Sequence, residues 1–276
     1  MQELKDMINS LRNGNEPVVM TEEEYSNQQA KAYNDIAGNL NLKDGVECKT
    51  CKNKGYVMYS KYNEMYKGYT EVMRECDCMK RRRIIMKAQL SGLGEYLKYR
   101  PKDFIATDDW QKENKKLMAE YCQLHADDDT WFAAIGQSGA GKTMLGSIIA
   151  NYLLYEKKKN VVYITWTDFI RKVKSDMMGD KSNEVSSYLE DIKNIEVLFI
   201  DELLKKYNET DLKYIIEIIN YRYTNNLKTI ITSERVVNDL LDIDEATFSR
   251  VIEKCNDFII NIDKDRSKNY RLKKIK

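Results

Sequence analysis

An apolar run, Trp131-Phe132-Ala133-Ala134-Ile135, stops at a glycine-rich octet, Gly136-Gln137-Ser138-Gly139-Ala140-Gly141-Lys142-Thr143, and the chain resumes as a helix-forming stretch from Met144 to Leu153. Few folds accommodate that order. The octet matches G-x-x-x-x-G-K-[ST] between a strand and a helix, the context in which the pattern cradles phosphate. The flanks argue against the alternative, a chance glycine turn beside a lysine. Glycines let backbone N–H groups close around the phosphates, and the helix N-terminus adds a favourable dipole. Lys142 is then placed to reach the β and γ phosphates, and Thr143 to hold Mg²⁺.

A second apolar run, Val197-Leu198-Phe199-Ile200, ends in Asp201-Glu202. A carboxylate at the end of a buried strand is often only a cap. Downstream of a phosphate loop it is the expected Mg²⁺-supporting Walker B aspartate, with Glu202 placed to orient or deprotonate the attacking water. Further strands are expected at Val161 to Thr165, Thr229 to Thr232 and Phe258 to Ile262, with helices between them, beginning at Lys112 to Leu124. Alternating strands and helices predict an α/β fold, a parallel sheet with helices on both faces and its ligand at the carboxyl ends of the strands. Thr232 and Ser233 end one of those strands, where they either face the γ-phosphate or cap the helix that follows. Phe248, Val251, Ile252 and Cys255 define a buried helical stripe. Arg250 falls outside it and reads as either ordinary surface or an arginine finger donated to a neighbouring subunit, which requires an oligomer.

Residues 48–78 carry a separate signal. Cys48-Lys49-Thr50-Cys51 and Cys76-Asp77-Cys78 flank two strand-like segments, so a hairpin can bring four thiolates together around a structural zinc ion. The N-terminus lacks a signal-peptide pattern and a cytosolic chain keeps its cysteines reduced, so the clusters point to metal before disulfide, and the strand-like spacer favours zinc over free thiols. Cys122 and Cys255 read as isolated, semi-buried thiols, and His125 as a surface residue. Lys80-Arg81-Arg82-Arg83 is either a solvated helix start or a phosphate contact. With 45 Lys+Arg against 44 Asp+Glu, the net charge of +1 announces no global field for nucleic acid. No apolar run reaches membrane-spanning length. The expected organisation is an N-terminal helical segment over 1–45, a four-cysteine module over 46–82, a helical linker over 83–108 and the nucleotide-binding domain over 109–276. Within the first segment, Leu4, Met7, Ile8 and Leu11 stripe one helix. Thr21-Glu22-Glu23-Glu24 caps a second, with Tyr25, Ala32, Tyr33, Ile36 and Leu40 as its face. These helices serve either local packing or the docking of a partner protein.

Taken together, Gly136 to Thr143, Leu198 to Glu202, Thr229 to Ser233 and Ser249-Arg250 resemble the AAA+ ATPases that load replicative helicases, the DnaC/DnaI type of bacteria and their phages. The cysteine module followed by Met79-Lys80-Arg81 is similar to the zinc-bearing N-terminal domains of that group. The resemblance implies an AAA+ P-loop core without a C-terminal lid domain, ATP with Mg²⁺ and Zn²⁺ as cofactors, ATP hydrolysis, and a cytoplasmic setting. It implies that the N-terminal region grips the hexameric replicative helicase while the core binds ATP and single-stranded DNA and associates with its own kind. Gly136, Gln137, Ser138, Gly139, Ala140, Gly141, Lys142 and Thr143 then bind nucleotide. Thr143 and Asp201 hold magnesium, and Lys142, Asp201, Glu202, Ser233 and Arg250 serve catalysis. Cys48, Cys51, Cys76 and Cys78 hold zinc, and Arg271 in Asn269-Tyr270-Arg271 takes a sensor role. Arg171, Lys172 and Lys174 are the candidate patch for single-stranded DNA. Glu234 departs from the family, which often has asparagine there. Two other readings share much of this pattern: a transposition helper ATPase of the IstB-like type, and a nucleotide-gated adaptor or inhibitor that grips the helicase or a host loader through residues 1–100 with little turnover.

Overall fold

The structure, a computed structural model, describes residues 20–178 and 182–272, so the helix expected around Leu4 to Leu11 lies outside the described residues. Two compact units divide the chain, Met1–Arg83 and Ile84–Lys276.

In the first unit, helix α1 (Glu22–Asp35) opens on the expected capping box: the Glu24 N–H donates to the Thr21 hydroxyl at 3.2 Å and the Thr21 N–H to the Glu24 carboxylate at 2.8 Å. Its buried face differs from the expected stripe. Ser26 and Ala30 are buried, whereas Tyr25 and Ala32 are exposed and Ile36 lies past the helix end. The reason is close approach. Two small residues four apart let the helix ride low on a hairpin of β1 (Tyr56–Asn63) and β2 (Gly68–Glu75), paired antiparallel from Tyr56↔Glu75 to Asn63↔Gly68. One turn further, the Asn34 side chain donates to the Met58 carbonyl at 2.7 Å and accepts the Met58 N–H at 3.0 Å, continuing the ladder off the strand edge. A one-turn helix, α2 (Asn41–Asp44), precedes the cysteines, and α3 (Cys78–Ala88) follows the hairpin.

The second unit is the parallel sheet that the alternating pattern predicts. Strands β3 (Phe132–Gly136), β4 (Val161–Thr165), β5 (Val197–Asp201), β6 (Lys228–Ser233) and β7 (Ile259–Ile262) lie in the order β4-β5-β6-β3-β7, all parallel. Helices α4 (Asp109–Leu124), α5 (Lys142–Tyr155), α6 (Trp166–Met178), α7 (Ser182–Asn194), α8 (Glu209–Thr224), α9 (Val237–Ile243) and α10 (Glu245–Cys255) connect or flank them. The central strands are buried along their whole length, as their unbroken apolar runs require. The register Thr165↔Asp201 and Ile135↔Ser233 brings the phosphate loop, Asp201 and Ser233 to the same, carboxyl, end of the sheet.

Residues 84–108, expected as a linker, belong to this second unit. A single π turn at Gln89–Leu93 and short 3-10 turns at Gly94–Tyr96 and Pro101–Asp103 fold back on the core. There the Asn151 side chain donates to the carbonyls of Leu97 at 2.6 Å and Tyr99 at 2.9 Å. His125, expected on the surface, is partly buried, with Nδ1 2.6 Å from Asp128 and its ring edge-on to Phe258. Cys255 is fully buried and inert, its thiol raised by burial. None of the described helices is long and apolar enough to cross a membrane.

A buried arginine ties the amino ends of β5 and β6 to their covering helices. Arg222 of α8 is inaccessible and donates to the carbonyls of Lys193 at 2.8 Å, Ile195 at 2.8 Å and Lys228 at 2.5 Å, and to the Thr229 hydroxyl at 3.0 Å. These carbonyls include the last turn of α7, the negative end of its dipole. Burial lowers the guanidinium to about 9, so it stays charged at neutral pH. Arg222→Met leaves those carbonyls unsatisfied; we expect a loss of about 3 kcal/mol, read from the urea midpoint at unchanged slope.

Candidate nucleotide and metal sites

The loop after β3 is shaped by glycine where no side chain fits. Gly136 has φ +102°, and a Cβ there would lie 1.9 Å from the Ile262 carbonyl oxygen of β7. Gly139 has φ +72°, and its Cβ would meet the Asn269 side chain at 2.1 Å. Sequence-distant residues thus close on the loop, and the Tyr270 N–H donates to the Gly139 carbonyl at 3.0 Å. The loop delivers Lys142, 7% exposed, whose ammonium donates to the carbonyls of Gly136 at 2.9 Å and Gln137 at 2.6 Å. Burial lowers Lys142 to about 8, against the opposing pull of Glu234 and Asp201.

The carboxylate opposite is Asp201, 2% exposed. Its Oδ1 accepts from Thr143 at 2.9 Å and from Thr232, and its Oδ2 accepts from the Tyr163 hydroxyl at 2.8 Å. Glu202 follows at φ +54°, its N–H on the Thr232 hydroxyl at 3.1 Å and its carboxylate 2.7 Å from Lys205. Ser233, expected as a sensor beside Thr232, turns its hydroxyl to the Leu203 carbonyl at 2.7 Å and accepts the Arg235 N–H at 3.2 Å, fastening the turn after β5. Successive strand residues face opposite ways, so only Thr232 meets Asp201. Glu234 reaches the loop and accepts from the Ser138 hydroxyl at 2.8 Å.

These groups line a cleft of about 500 Å³ that also takes in Tyr96, Tyr99, Phe104 and Arg271. That size and mixed lining suit a nucleotide. The donor set fits Mg²⁺ as well: a hydroxyl and a carboxylate oxygen already within hydrogen-bond reach at the mouth of the phosphate loop. Tyr96, Tyr99, Phe104 and Tyr163 were not singled out from sequence. A signal existed for Tyr163, since a phenol inside an otherwise apolar buried strand needs a polar partner. Arg250 is not among the cleft residues; it lies on α10 against α8, donating to Asn220 with its guanidinium 5.6 Å from the Tyr223 ring centroid. The patch read for single-stranded DNA is charge-matched internally: Arg171 pairs with Asp168, Lys172 with Asp176 and Lys174 with Asp211.

In the first unit, Cys48, Cys51, Cys76 and Cys78 come together with all four sulfurs within 4.8 Å of one another. The pairs Cys48–Cys76 and Cys51–Cys78 stand at 3.7 Å and 3.6 Å. A tetrahedron with Zn–S bonds of about 2.3 Å has edges of about 3.8 Å, so the thiols fit zinc. The Gly55 N–H donates to Cys51 Sγ at 3.3 Å, and Arg82 Nε to Cys78 Sγ at 3.5 Å. Arg82 is 4% exposed and grips both Asp44 oxygens at 2.6 Å and the Val46 carbonyl at 2.7 Å. The phosphate reading of the basic run therefore fails at Arg82, which braces the cysteine knuckle instead. Arg83 pairs with Glu75.

A family model described as the bacterial DnaA ATPase domain matches residues 130–254. Among curated relatives, an uncharacterized Bacillus subtilis protein, YqaM, is 30% identical over 213 residues, 72% of this chain and 66% of that protein. The replicative helicase loader DnaC of Buchnera aphidicola (subsp. Acyrthosiphon pisum) is 26% identical over 149 residues, 54% of this chain and 58% of the loader. The crystal structure of DnaI superposes with a TM-score of 0.50 at 21% identity, covering 62% of this chain and 93% of that one, which shows the shared fold.

Two outcomes test the sites. Phosphate raises the pKa of Lys142, so a bound state that holds more protons must weaken as pH climbs. Nucleotide affinity is expected to fall above about pH 8, with proton uptake in calorimetry, and Lys142→Arg to flatten that limb. Glu234→Asn, which removes a negative charge beside the phosphate loop, is expected to raise ATP affinity up to roughly tenfold by equilibrium binding. In fold and motif the chain is an AAA+-type P-loop ATPase, and it is similar to the DnaC/DnaI helicase loaders.

Proposed function

We propose that the chain loads the replicative DNA helicase in the cytoplasm, coupling ATP hydrolysis by the second unit to a grip on the helicase by the four-cysteine unit. The observation that carries this reading is the junction of Thr143, Asp201 and Thr232 at the mouth of the phosphate loop, in a chain related to a helicase loader. Lys142 binds the β and γ phosphates, displacing its present bonds to the loop carbonyls. Thr143 and Asp201 hold Mg²⁺, which when bound neutralises charge on the phosphate oxygens. Glu202 leaves Lys205 and takes a proton from water as that water attacks the γ-phosphorus. The bond to the bridging oxygen breaks, and ADP and phosphate depart. Thr232 is the sensor hydroxyl in place of Ser233. Arg250 acts on a neighbouring subunit and Arg271 on the phosphates of its own. Single-stranded DNA is the nucleic acid bound, and zinc on the four cysteines holds the hairpin to its knuckle.

Glu202→Gln should keep nucleotide binding, lose turnover by at least a hundredfold, and trap the full-length chain on its cognate hexameric helicase during gel filtration with ATP. Turnover at the wild-type rate, or no co-elution in any nucleotide state, overturns the reading. Purified protein should carry about one zinc per chain, and Cys51→Ser should lose it and melt earlier; a metal-free chain with an unchanged melt removes zinc from the account.

A further inference from the structure

Asp201 is the metal-side carboxylate of the proposed function, and its two oxygens are used unequally. Oδ1 accepts from Thr143 at 2.9 Å and from Thr232, and is the oxygen that a cation beside Thr143 meets. Oδ2 accepts from the Tyr163 hydroxyl at 2.8 Å, from the neighbouring strand β4. Tyr163 is 2% exposed, and its phenol hydroxyl donates to the carboxylate from inside the sheet.

The tyrosine is itself braced. Its ring stands edge-on to Phe199 at 5.0 Å between centroids and tilted against Tyr96 at 5.4 Å. Its backbone N–H donates to the Ser91 hydroxyl at 3.0 Å. Gly92, at φ +101°, lies under the ring, where a Cβ would come within 3.3 Å. When Thr143 turns to a cation, Asp201 loses one donor from Oδ1, while the bond on Oδ2 persists and fixes the carboxylate plane. A carboxylate so held offers one oxygen. Mg²⁺ demands near-octahedral geometry and accepts single oxygens, whereas Ca²⁺ is larger and commonly takes a carboxylate through both.

We propose that Tyr163 is a positioning residue that limits Asp201 to one oxygen and thereby sets the cleft's preference for Mg²⁺ over Ca²⁺, with Ser91 holding Tyr163 in place. The inference rests on the reading of Asp201 as the metal-side carboxylate. Its test is equilibrium binding of a fluorescent, non-hydrolysable ATP analogue to the full-length chain, with Mg²⁺ or Ca²⁺ titrated separately and EDTA as the baseline. Tyr163→Phe keeps the ring and deletes the hydroxyl. It should raise the half-saturating Mg²⁺ concentration by roughly tenfold, the scale of lost outer-shell partners. Half-saturation by Ca²⁺ should change less and affinity in EDTA should be unaltered, so that the Mg²⁺/Ca²⁺ preference falls at least about threefold. A preference within about twofold of wild type overturns the proposal, since loss of packing alone would weaken both cations alike. If Tyr163→Phe melts too early to titrate, Ser91→Ala decides: a lowered preference supports the proposal and an unchanged one overturns it. Wild-type binding that ignores both cations overturns the Asp201 reading and this inference together, whereas a cation-dependent wild type with an unchanged variant overturns the inference alone.

Discussion

A charged carboxylate almost sealed from water needs every lone pair attended, and Asp201 gets its donors from three directions in the chain: the helix after the phosphate loop, the strand on one side and the strand on the other. That requirement fixes much else. Strands β4, β5 and β6 must lie side by side and in register so that Tyr163, Asp201 and Thr232 converge. Phe199 packs behind both Tyr163 and Gly146, where a Cβ would come within 2.6 Å of its ring. The helix can then run close enough to the sheet for Thr143 to reach the acid. Catalytic geometry and core packing are one arrangement here, because two of the three hydroxyls that hold Asp201 grow from the same strands that bury its backbone.

The cysteine unit solves a different problem. Among the described residues of this unit, a two-stranded hairpin and its short helices bury too little apolar surface to be stable by packing alone. Cross-links supply what the core lacks: four converging thiols, the Arg82–Asp44 pair, and the amide of Asn34 acting as an extra rung at the strand edge. Met65 and Tyr66 stand 77% and 71% exposed at the hairpin tip, on a turn whose backbone is held by the Asn63 side chain.

How much of this was legible depended on whether the signal was local. The phosphate loop, the Asp201-Glu202 strand end and the cysteine spacing are short patterns whose chemistry is written in adjacent residues, and the alternation of strands and helices gives the parallel sheet. What escaped was set by partners far away in sequence. Ser233 and Thr232 are neighbours, and only the register of β6 against β5 decides which meets Asp201. Arg82 looked like one charge among four, although it stands one helical turn after Cys78, the spacing that points it at that sulfur. The stripe assigned to α1 followed its large residues, while the helix turns its small ones inward. Aromatic residues at 96–104 belong to a segment without periodicity, and nothing but tertiary contact shows them at the cleft.

The close approach of Gly136 to Ile262 has a consequence for the order in which this molecule assembles. Strand β3 finds its two neighbours in β6 and β7, both of which follow it by more than ninety residues of chain, Gly136 to Lys228 and beyond. A nascent chain that has exposed the phosphate loop therefore has no walls for it. The strand has no partner until β6 leaves the ribosome and gains its second only with β7, and the turn at Asn269 closes over Gly139 later still. The walls of the phosphate cradle thus come from Ile262 and Asn269, far downstream of the loop they close, and the cradle is complete only once those residues are in place.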